Sequence, residues 1–255
     1  MCLLAIAFKH FPGYPIVVAA NRDEFYTRST DPPRRVSQSP IIFAGTDNEA
    51  GGTWLGINQY GLVAAVTNRH AGRRPDPTLQ SRGILCLDAL RYKSTAGALD
   101  ACHQTLGNAP RNPFNLIVAS KSGGWMLADL QTAARELTPG WHFVANGLPD
   151  DPEDARVRRA QRIVAAASWN GINEIIAGLK KLCGDHGSRG MRQKQGRDAI
   201  CVHGRDAGTM SSTILAVNSA GKPEYYLYAD GTPCSNAFRP VHSFQQYFQN
   251  PLPRG

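Results

Sequence analysis

A cysteine stands at position 2, directly before the apolar run Leu3–Phe8. An initiator methionine ahead of such a small residue is normally removed, which would leave Cys2 with a free α-amine. That amine has a pKa of roughly 7.7–8.0 and can serve as the base for the thiol of the same residue. Because free cysteine is also a common buried hydrophobe, the position is open to two interpretations, a nucleophile or a packing residue.

The polar tetrapeptide Asn21–Glu24 follows the second apolar run, Pro15–Ala20. The Arg22 guanidinium suits a carboxylate, a phosphate or a thiolate, and Asp23 can orient an amine or pair with Arg22. If the two apolar runs form a hairpin, Cys2 lies beside this tetrapeptide, and a neighbouring cation favours the thiolate. The alternative is an exposed turn with a weak local salt bridge.

Further candidate ligand contacts fall at turns and strand ends. A glycine pair precedes Trp54, which either walls a pocket or packs in the core. Asparagine amides at strand ends can donate to an oxyanion, although they are also common turn formers. Arginines 69, 73 and 74 make a basic loop that offers an anion site. The candidates are Trp54, Thr67, Asn68, Arg69, Asn146, Ser211 and Ser212.

The net charge of +8 and the pI of about 9.4 favour an anionic partner. No nucleic-acid-binding motif accompanies this charge, so we expect a small anionic ligand and no nucleic acid.

The six cysteines form no CxxC pair, so we expect no disulfide framework and no metal site. No signal peptide or membrane-length apolar run is found, so we expect a cytoplasmic protein. No heptad or apolar patch indicates an oligomeric state.

The elements that must position these side chains come in blocks of strands and helices rather than in strict βαβ alternation. This order predicts an α+β fold with two stacked, mainly antiparallel sheets and helices outside, in one domain spanning residues 1–255. We expect Asp31–Arg35 to be a loop, Ser81 and Ser94 to begin helices, and the tail after about residue 248 to be loose. The later predicted strands include 116–119, 125–128, 142–145, 199–202, 213–217 and 225–228.

Several of these segments together resemble the NRDE family, also called the transport and Golgi organisation protein 2 family. The similarity covers nearly the whole chain in the right order. It rests on Met1-Cys2, Asn21–Glu24, Gly51–Gly56, Thr67-Asn68, Ser81–Gly83, Ile200–His203 and Gly208–Thr213. The resemblance implies the four-layer αββα fold of N-terminal-nucleophile hydrolases. The eukaryotic family pattern usually has arginine where Met210 stands here.

The resemblance implies two functions. The family is linked to haem trafficking and to acyl-CoA or lipid metabolism, which suggests binding and transfer of an amphipathic anion, with haem as cargo and no required cofactor. By analogy with bile-salt hydrolases and penicillin V acylases, the alternative is a hydrolase of an amide or thioester. Cys2 would then be the nucleophile, Arg22 and Asp23 would tune it, and Asn68 or Asn146 would bind the oxyanion.

Overall fold

The chain alternates blocks of strands with pairs of helices. The structure, a computed structural model, describes residues 3–70, 72, 74–128, 133–188 and 196–248. Within these ranges the strands are β1 (Leu3–Phe11), β2 (Tyr14–Phe25), β3 (Thr30–Gln38), β4 (Ile41–Asp47), β5 (Leu55–Asn58), β6 (Val63–Asn68), β7 (Phe114–Ala119), β8 (Gly124–Leu127), β9 (Arg135–Glu136), β10 (Gly140–Val144), β11 (Ala207–Val217), β12 (Pro223–Asp230) and β13 (Arg239–Pro240). The helices are α1 (Arg82–Ala89), α2 (Thr95–Asn108), α3 (Ala155–Ala165), α4 (Ile172–Cys183) and α5 (His242–Phe248).

The strands form two antiparallel sheets that pack face to face. One sheet has the order β10-β1-β2-β11-β12-β13, and the other has the order β3-β4-β5-β6-β7-β8-β9. Side chains alternate between the two faces of a strand, so Ile6 and Val18 of the first sheet point into the core between the sheets. There they share one apolar cluster with Phe43, Ile57 and Val63 of the second sheet.

Helices cover the outer face of each sheet. Ala5 and Val17 of the first sheet share a buried cluster with Val157 of α3 and Leu179 of α4. On the second sheet, residues such as Ile42 pack in the same way against α1 and α2. The result is an αββα stack of four layers, which confirms the predicted fold class. None of the described helices is long and apolar enough to cross a membrane.

The predicted helix starts are confirmed. The Ser81 hydroxyl accepts a hydrogen bond from the backbone N–H of Gly83, and that of Ser94 accepts one from Gly97, which caps α1 and α2. The expected loop at Asp31–Arg35 is wrong, because these residues lie within β3. This strand is at the sheet edge, and its register shifts between Asp31 and Arg34, so the two prolines between them need not donate to a ladder.

Two other boundaries differ from the prediction. No strand forms at 199–202, because the N–H groups of Ile200 and Cys201 both donate to the Asp185 carbonyl, at 3.0 and 2.8 Å. The segment after Ala20 does not leave the sheet, since β2 continues to Phe25 and pairs with β11 there. The predicted loose tail falls on residues 249–255, outside the described residues.

Candidate ligand-binding cleft

Arg22 and Asp23 point to opposite faces of the first sheet, because β2 runs straight through them. Strand alternation places Arg22 on the face of Val18 and Ala20, towards the second sheet. Asn21 and Asp23 take the other face, which the helices α3 and α4 cover. The continuation of β2 therefore divides the polar tetrapeptide between two environments.

Arg22 is a buried cation that has no ion pair within the described ranges. Only 4% of the residue is exposed, and its guanidinium carbon lies 4.8 Å from the centre of the Trp54 ring. Its Nη1 lies 3.7 Å from the Met210 sulfur, and no carboxylate of the described residues comes within 4.0 Å. Burial lowers the pKa of Arg22, although the charges of Glu24 and Asp47 oppose this shift.

Met210 is the extra residue of a bulge in β11. Thr209 pairs with Asp23 and Ser211 pairs with Arg22, so one additional residue stands between them on this strand. The bulge brings the Met210 thioether to the Arg22 guanidinium. An arginine at this position would bring a second cation against Arg22, whereas methionine leaves Arg22 as the only charge of this contact.

Arg22 and Trp54 line an open cleft of about 530 Å³. Arg28 also lines it and pairs with the three acidic side chains of one rim, Glu24, Asp47 and Glu49. Arg82 also lines the cleft, and its Nη1 donates to the Pro113 carbonyl at 3.2 Å. Burial lowers the pKa of Arg82 too, and none of the described carboxylates forms an ion pair with it. The other lining residues are Ala50, Thr53, Val66, Asn68, Pro75, Asp76, Pro77, Leu79, Gln80, Ser81, Gly83 and Asn112.

A glycine turn brings the wall with Trp54 against the start of α1. Gly52 has a φ of +79°, and a Cβ there would collide with the backbone of Gly83. This close approach lets the Thr53 N–H donate to the Gly83 carbonyl at 3.0 Å. Glycine is therefore required at position 52 both for its backbone conformation and for space.

Three strand ends meet beside the cleft. The Asn68 side chain lines the cleft, and its backbone carbonyl accepts a hydrogen bond from Asn146 Nδ2 at 3.0 Å. Asn115 Nδ2 donates to Thr67 Oγ1 at 3.1 Å and to the Gly147 carbonyl at 2.9 Å. None of the described residues forms a hydrogen bond with the side-chain amide of Asn68. That side-chain amide is therefore able to donate to a ligand.

Other predicted site residues do not face this cleft. Asn21 Nδ2 donates to the carbonyls of Cys183 and Ile200, at 2.8 and 2.9 Å, and its Oδ1 accepts from Ser212 Oγ at 2.7 Å. Asp23 Oδ1 accepts from Thr209 Oγ1 at 2.6 Å. The bonds to Ser212 and Thr209 connect β2 with β11. The bonds to Cys183 and Ile200 connect β2 with the end of α4 and with the segment before β11.

The remaining candidates lie around the cleft. Ser211 pairs with Arg22 across the ladder and is buried there. Arg69 lines a neighbouring cleft of about 490 Å³, which shares Asn68 and Arg82 with the first. Cys2 lies outside the described residues, as does residue 73 of the basic loop. The residue after Cys2 in the sequence, Leu3, is the backbone partner of Asn21 in the β1–β2 ladder.

The sequence did not predict that Arg82 lines the cleft or that Asn115 supports the strand ends beside it. Arg82 stands directly after the Ser81 cap, so its presence in the first turn of α1 could be anticipated from the sequence. That this turn would line the same cleft as Arg22 depends on the packing of α1 against the glycine turn. Asn115 had no signal beyond its place at the start of a strand.

Two solved structures share the αββα architecture. Penicillin V acylase from Agrobacterium tumefaciens superposes with a TM-score of 0.53 at 14% identity, covering 90% of this chain and 83% of that one. An N-acylethanolamine-hydrolyzing acid amidase orthologue from Caenorhabditis elegans gives a TM-score of 0.54 at 14% identity, covering 84% and 92%. The likeness to these two structures confirms the predicted four-layer αββα fold.

Sequence comparison finds relatives among animal proteins. A mouse transport and Golgi organization 2 homolog is 33% identical over 175 residues, which cover 60% of this chain and 59% of the mouse protein. The bovine homolog is 27% identical over 257 residues, which cover 87% of this chain and 90% of the bovine one. Residues 1–226 match the family described as Transport and Golgi organisation 2. The chain therefore belongs to the Transport and Golgi organisation 2 family, as the sequence resemblance indicated.

Proposed function

We propose that the protein binds a small amphipathic anion in this cleft and transfers it, with haem or an acyl-CoA-like molecule as the cargo. The observation that carries the proposal is the buried Arg22 guanidinium, which has no carboxylate partner among the described residues. Burying an unpaired charge is costly, so this cation favours a ligand with an acidic group. The cleft volume lies within the range of small-molecule sites.

The two ends of such a ligand would meet different surfaces. Arg22 and Arg82 are the cations available for carboxylates or phosphates, and guanidinium suits both groups. Trp54 offers an apolar wall beside Arg22. Because Arg28 pairs with the acidic rim, it reduces the repulsion that those acids would exert on an incoming anion.

A second candidate is a hydrolase that uses Cys2 as its nucleophile. The β1–β2 register favours it, because Leu3 pairs with Asn21, the residue before Arg22. In this mechanism the α-amine takes the thiol proton, the thiolate attacks an amide or thioester carbonyl, and the leaving group departs with that proton. Water then hydrolyses the acyl-enzyme. Asn68 or Asn146 would donate to the oxyanion, and Asp23 would act from the opposite face of β2.

Mass spectrometry distinguishes the two candidates. The full chain is incubated with haem, a medium-chain acyl-CoA or an acyl-amide, and both native and denatured masses are recorded. The binding proposal expects a one-to-one complex with haem or acyl-CoA in the native spectrum and no added mass after denaturation. The hydrolase proposal predicts loss of Met1 and an acyl adduct, which Cys2→Ala should abolish and Cys102→Ala should retain. Absence of any native complex would contradict the binding proposal.

A further inference from the structure

Two histidines and two cysteines converge on the helix-covered side of the first sheet. His203 Nε2 lies 3.1 Å from His186 Nε2, 3.3 Å from the Cys234 sulfur and 3.6 Å from the Cys201 sulfur. All four ligand atoms lie within 4.8 Å of one another. We propose that this cluster is a Cys₂His₂ zinc site, separate from the anion-binding cleft.

Three of the separations among the four atoms are close to those around one tetrahedral ion. Tetrahedral Zn²⁺, with bonds of ~2.0–2.3 Å to nitrogen and sulfur, holds its ligand atoms about 3.3–3.8 Å apart. The three distances to His203 Nε2, between 3.1 and 3.6 Å, lie close to this range. The widest separation, up to 4.8 Å, would have to shorten by about 1 Å when the ion binds. Two thiolates also balance the double charge of the ion, so the loaded site would be neutral. Two cysteines with two histidines form a donor set typical of structural zinc sites.

The backbone holds the ligands before any ion arrives. The N–H of Cys201 donates to the carbonyl of Asp185, the residue before His186, at 2.8 Å. Next to His203, the Thr209 N–H donates to the Val202 carbonyl at 2.8 Å. Cys234 sits in a turn where the N–H of Asn236 donates to the Thr232 carbonyl at 2.9 Å. Such support places ligands at little cost in conformational entropy.

The sequence predicted no metal site because the ligands come from three separated segments. Cys201 and His203 are two residues apart, whereas His186 and Cys234 stand well before and after them. The site would join the segment after α4, the segment before β11 and the turn after β12. Asn21 of β2 already donates to the carbonyls of Cys183 and Ile200, and Ile200 directly precedes the ligand Cys201. Bound zinc would therefore stabilise the end of β2 that carries Arg22.

Metal analysis tests this inference directly. The full chain is reduced, loaded with Zn²⁺ or Co²⁺ and freed of excess ion. We expect about one ion per chain and the intense visible absorption of tetrahedral Co²⁺, with thiolate charge transfer in the near ultraviolet. Cys234→Ser and His203→Ala should each lose this spectrum, whereas His103→Ala, an exposed histidine of α2, should keep it. A weak octahedral Co²⁺ spectrum in the wild type, equal to that of the variants, would overturn the proposal.

A second measurement uses only the wild type, in case a variant fails to fold. Cys234 is exposed and therefore open to alkylation by iodoacetamide. Bound Zn²⁺ occupies the thiolate, so alkylation at Cys234 should slow at least tenfold with stoichiometric Zn²⁺ and stay unchanged with Mg²⁺. The same rate with and without Zn²⁺ would also refute the site.

Discussion

The guanidinium carbon of Arg22 lies 4.8 Å from the centre of the Trp54 ring. A cation over an aromatic face is stabilised by about 0.5–2 kcal/mol, but the ring supplies no negative charge. The contact therefore orients Arg22 without neutralising it. Trp54 is also part of the core between the sheets, so the stability of the fold and the position of the cation depend on the same side chain.

A substitution at Gly45, which packs against the Trp54 ring, can change the position of that ring. A Cβ at Gly45 would collide with the Trp54 ring, at 2.6 Å from its Cζ2 atom. We expect Gly45→Ala to displace the indole, to destabilise the protein by about 1–3 kcal/mol and to weaken anion binding. Chemical denaturation and tryptophan fluorescence measure the first two effects, and ligand titration measures the third.

Gly107→Ala is the matched control for that substitution. Gly107 is exposed on α2, and nothing lies within 4 Å of an added Cβ. Gly107 is the second-last residue of α2, where alanine stabilises a helix relative to glycine by at most about 0.5–1 kcal/mol, so this variant should lose no stability and should bind normally. If Gly45→Ala behaved like Gly107→Ala, the supporting role of Gly45 would be wrong.

Arg28 should control anion affinity without being a ligand contact. Its guanidinium lies 2.9 Å from Asp47 and 3.3 Å from Glu49. Burial raises the pKa of Asp47, but the hydrogen bond from the Ala50 N–H and the Arg28 guanidinium together lower it. Arg28→Gln leaves these acids unpaired on the rim. We expect anion affinity to fall about three- to tenfold, most strongly at low salt. Arg34→Gln breaks an exposed pair with Asp31 and should change neither affinity nor its salt dependence.

His142 and Asp150 predict a pH-dependent stability. Burial disfavours both charged forms, but the His142–Asp150 bond of 2.9 Å and the neighbouring backbone bonds outweigh it. The pKa of His142 is therefore raised from 6.5, and that of Asp150 is lowered from 3.8. The histidine contribution is complete below pH 6.5 and is lost as pH rises through the raised pKa. The aspartate contribution is present above pH 3.8 and is lost as pH falls through the lowered pKa.

Urea denaturation across this pH range provides the test. The wild type should lose stability above pH 6.5, by at most about 1.4 kcal/mol for each pH unit, and His142→Gln should lack this slope. The exposed His103→Gln serves as the control and should keep the wild-type slope. An unchanged slope in His142→Gln would show that another group causes the pH dependence.

The layers of the fold could be predicted because apolar runs and helix caps are local signals. Ser81 and Ser94 begin helices as expected. The apolar runs Leu3–Phe8 and Pro15–Ala20 form strands as expected, and they pair in the hairpin that the sequence had left as a condition. Local composition misled at Asp31–Arg35, where prolines suggested a loop but an edge strand with a bulge accommodates them. The chain's membership of its family also followed from local motifs.

The site was less accessible from sequence, because it depends on faces and partners distant along the chain. Polar composition predicted a turn after Ala20, yet pairing with β11 keeps β2 extended and separates Arg22 from Asp23. Arg82 faces the cleft only because α1 packs on the glycine turn. Similarly, His186 and Cys234 meet only through the ends of α4 and β12.

The charge of Arg22 is the most direct test of the binding proposal. Haem and a medium-chain acyl-CoA are titrated calorimetrically into the wild type, Arg22→Met and the control Arg91→Met, whose guanidinium forms an exposed pair with Asp88. Methionine keeps an unbranched apolar stem but removes the cation, and a charge-assisted hydrogen bond contributes about 1.5–3 kcal/mol. We predict that Arg22→Met weakens binding at least about tenfold, whereas Arg91→Met binds like the wild type. Equal affinity in Arg22→Met and the wild type would contradict the account.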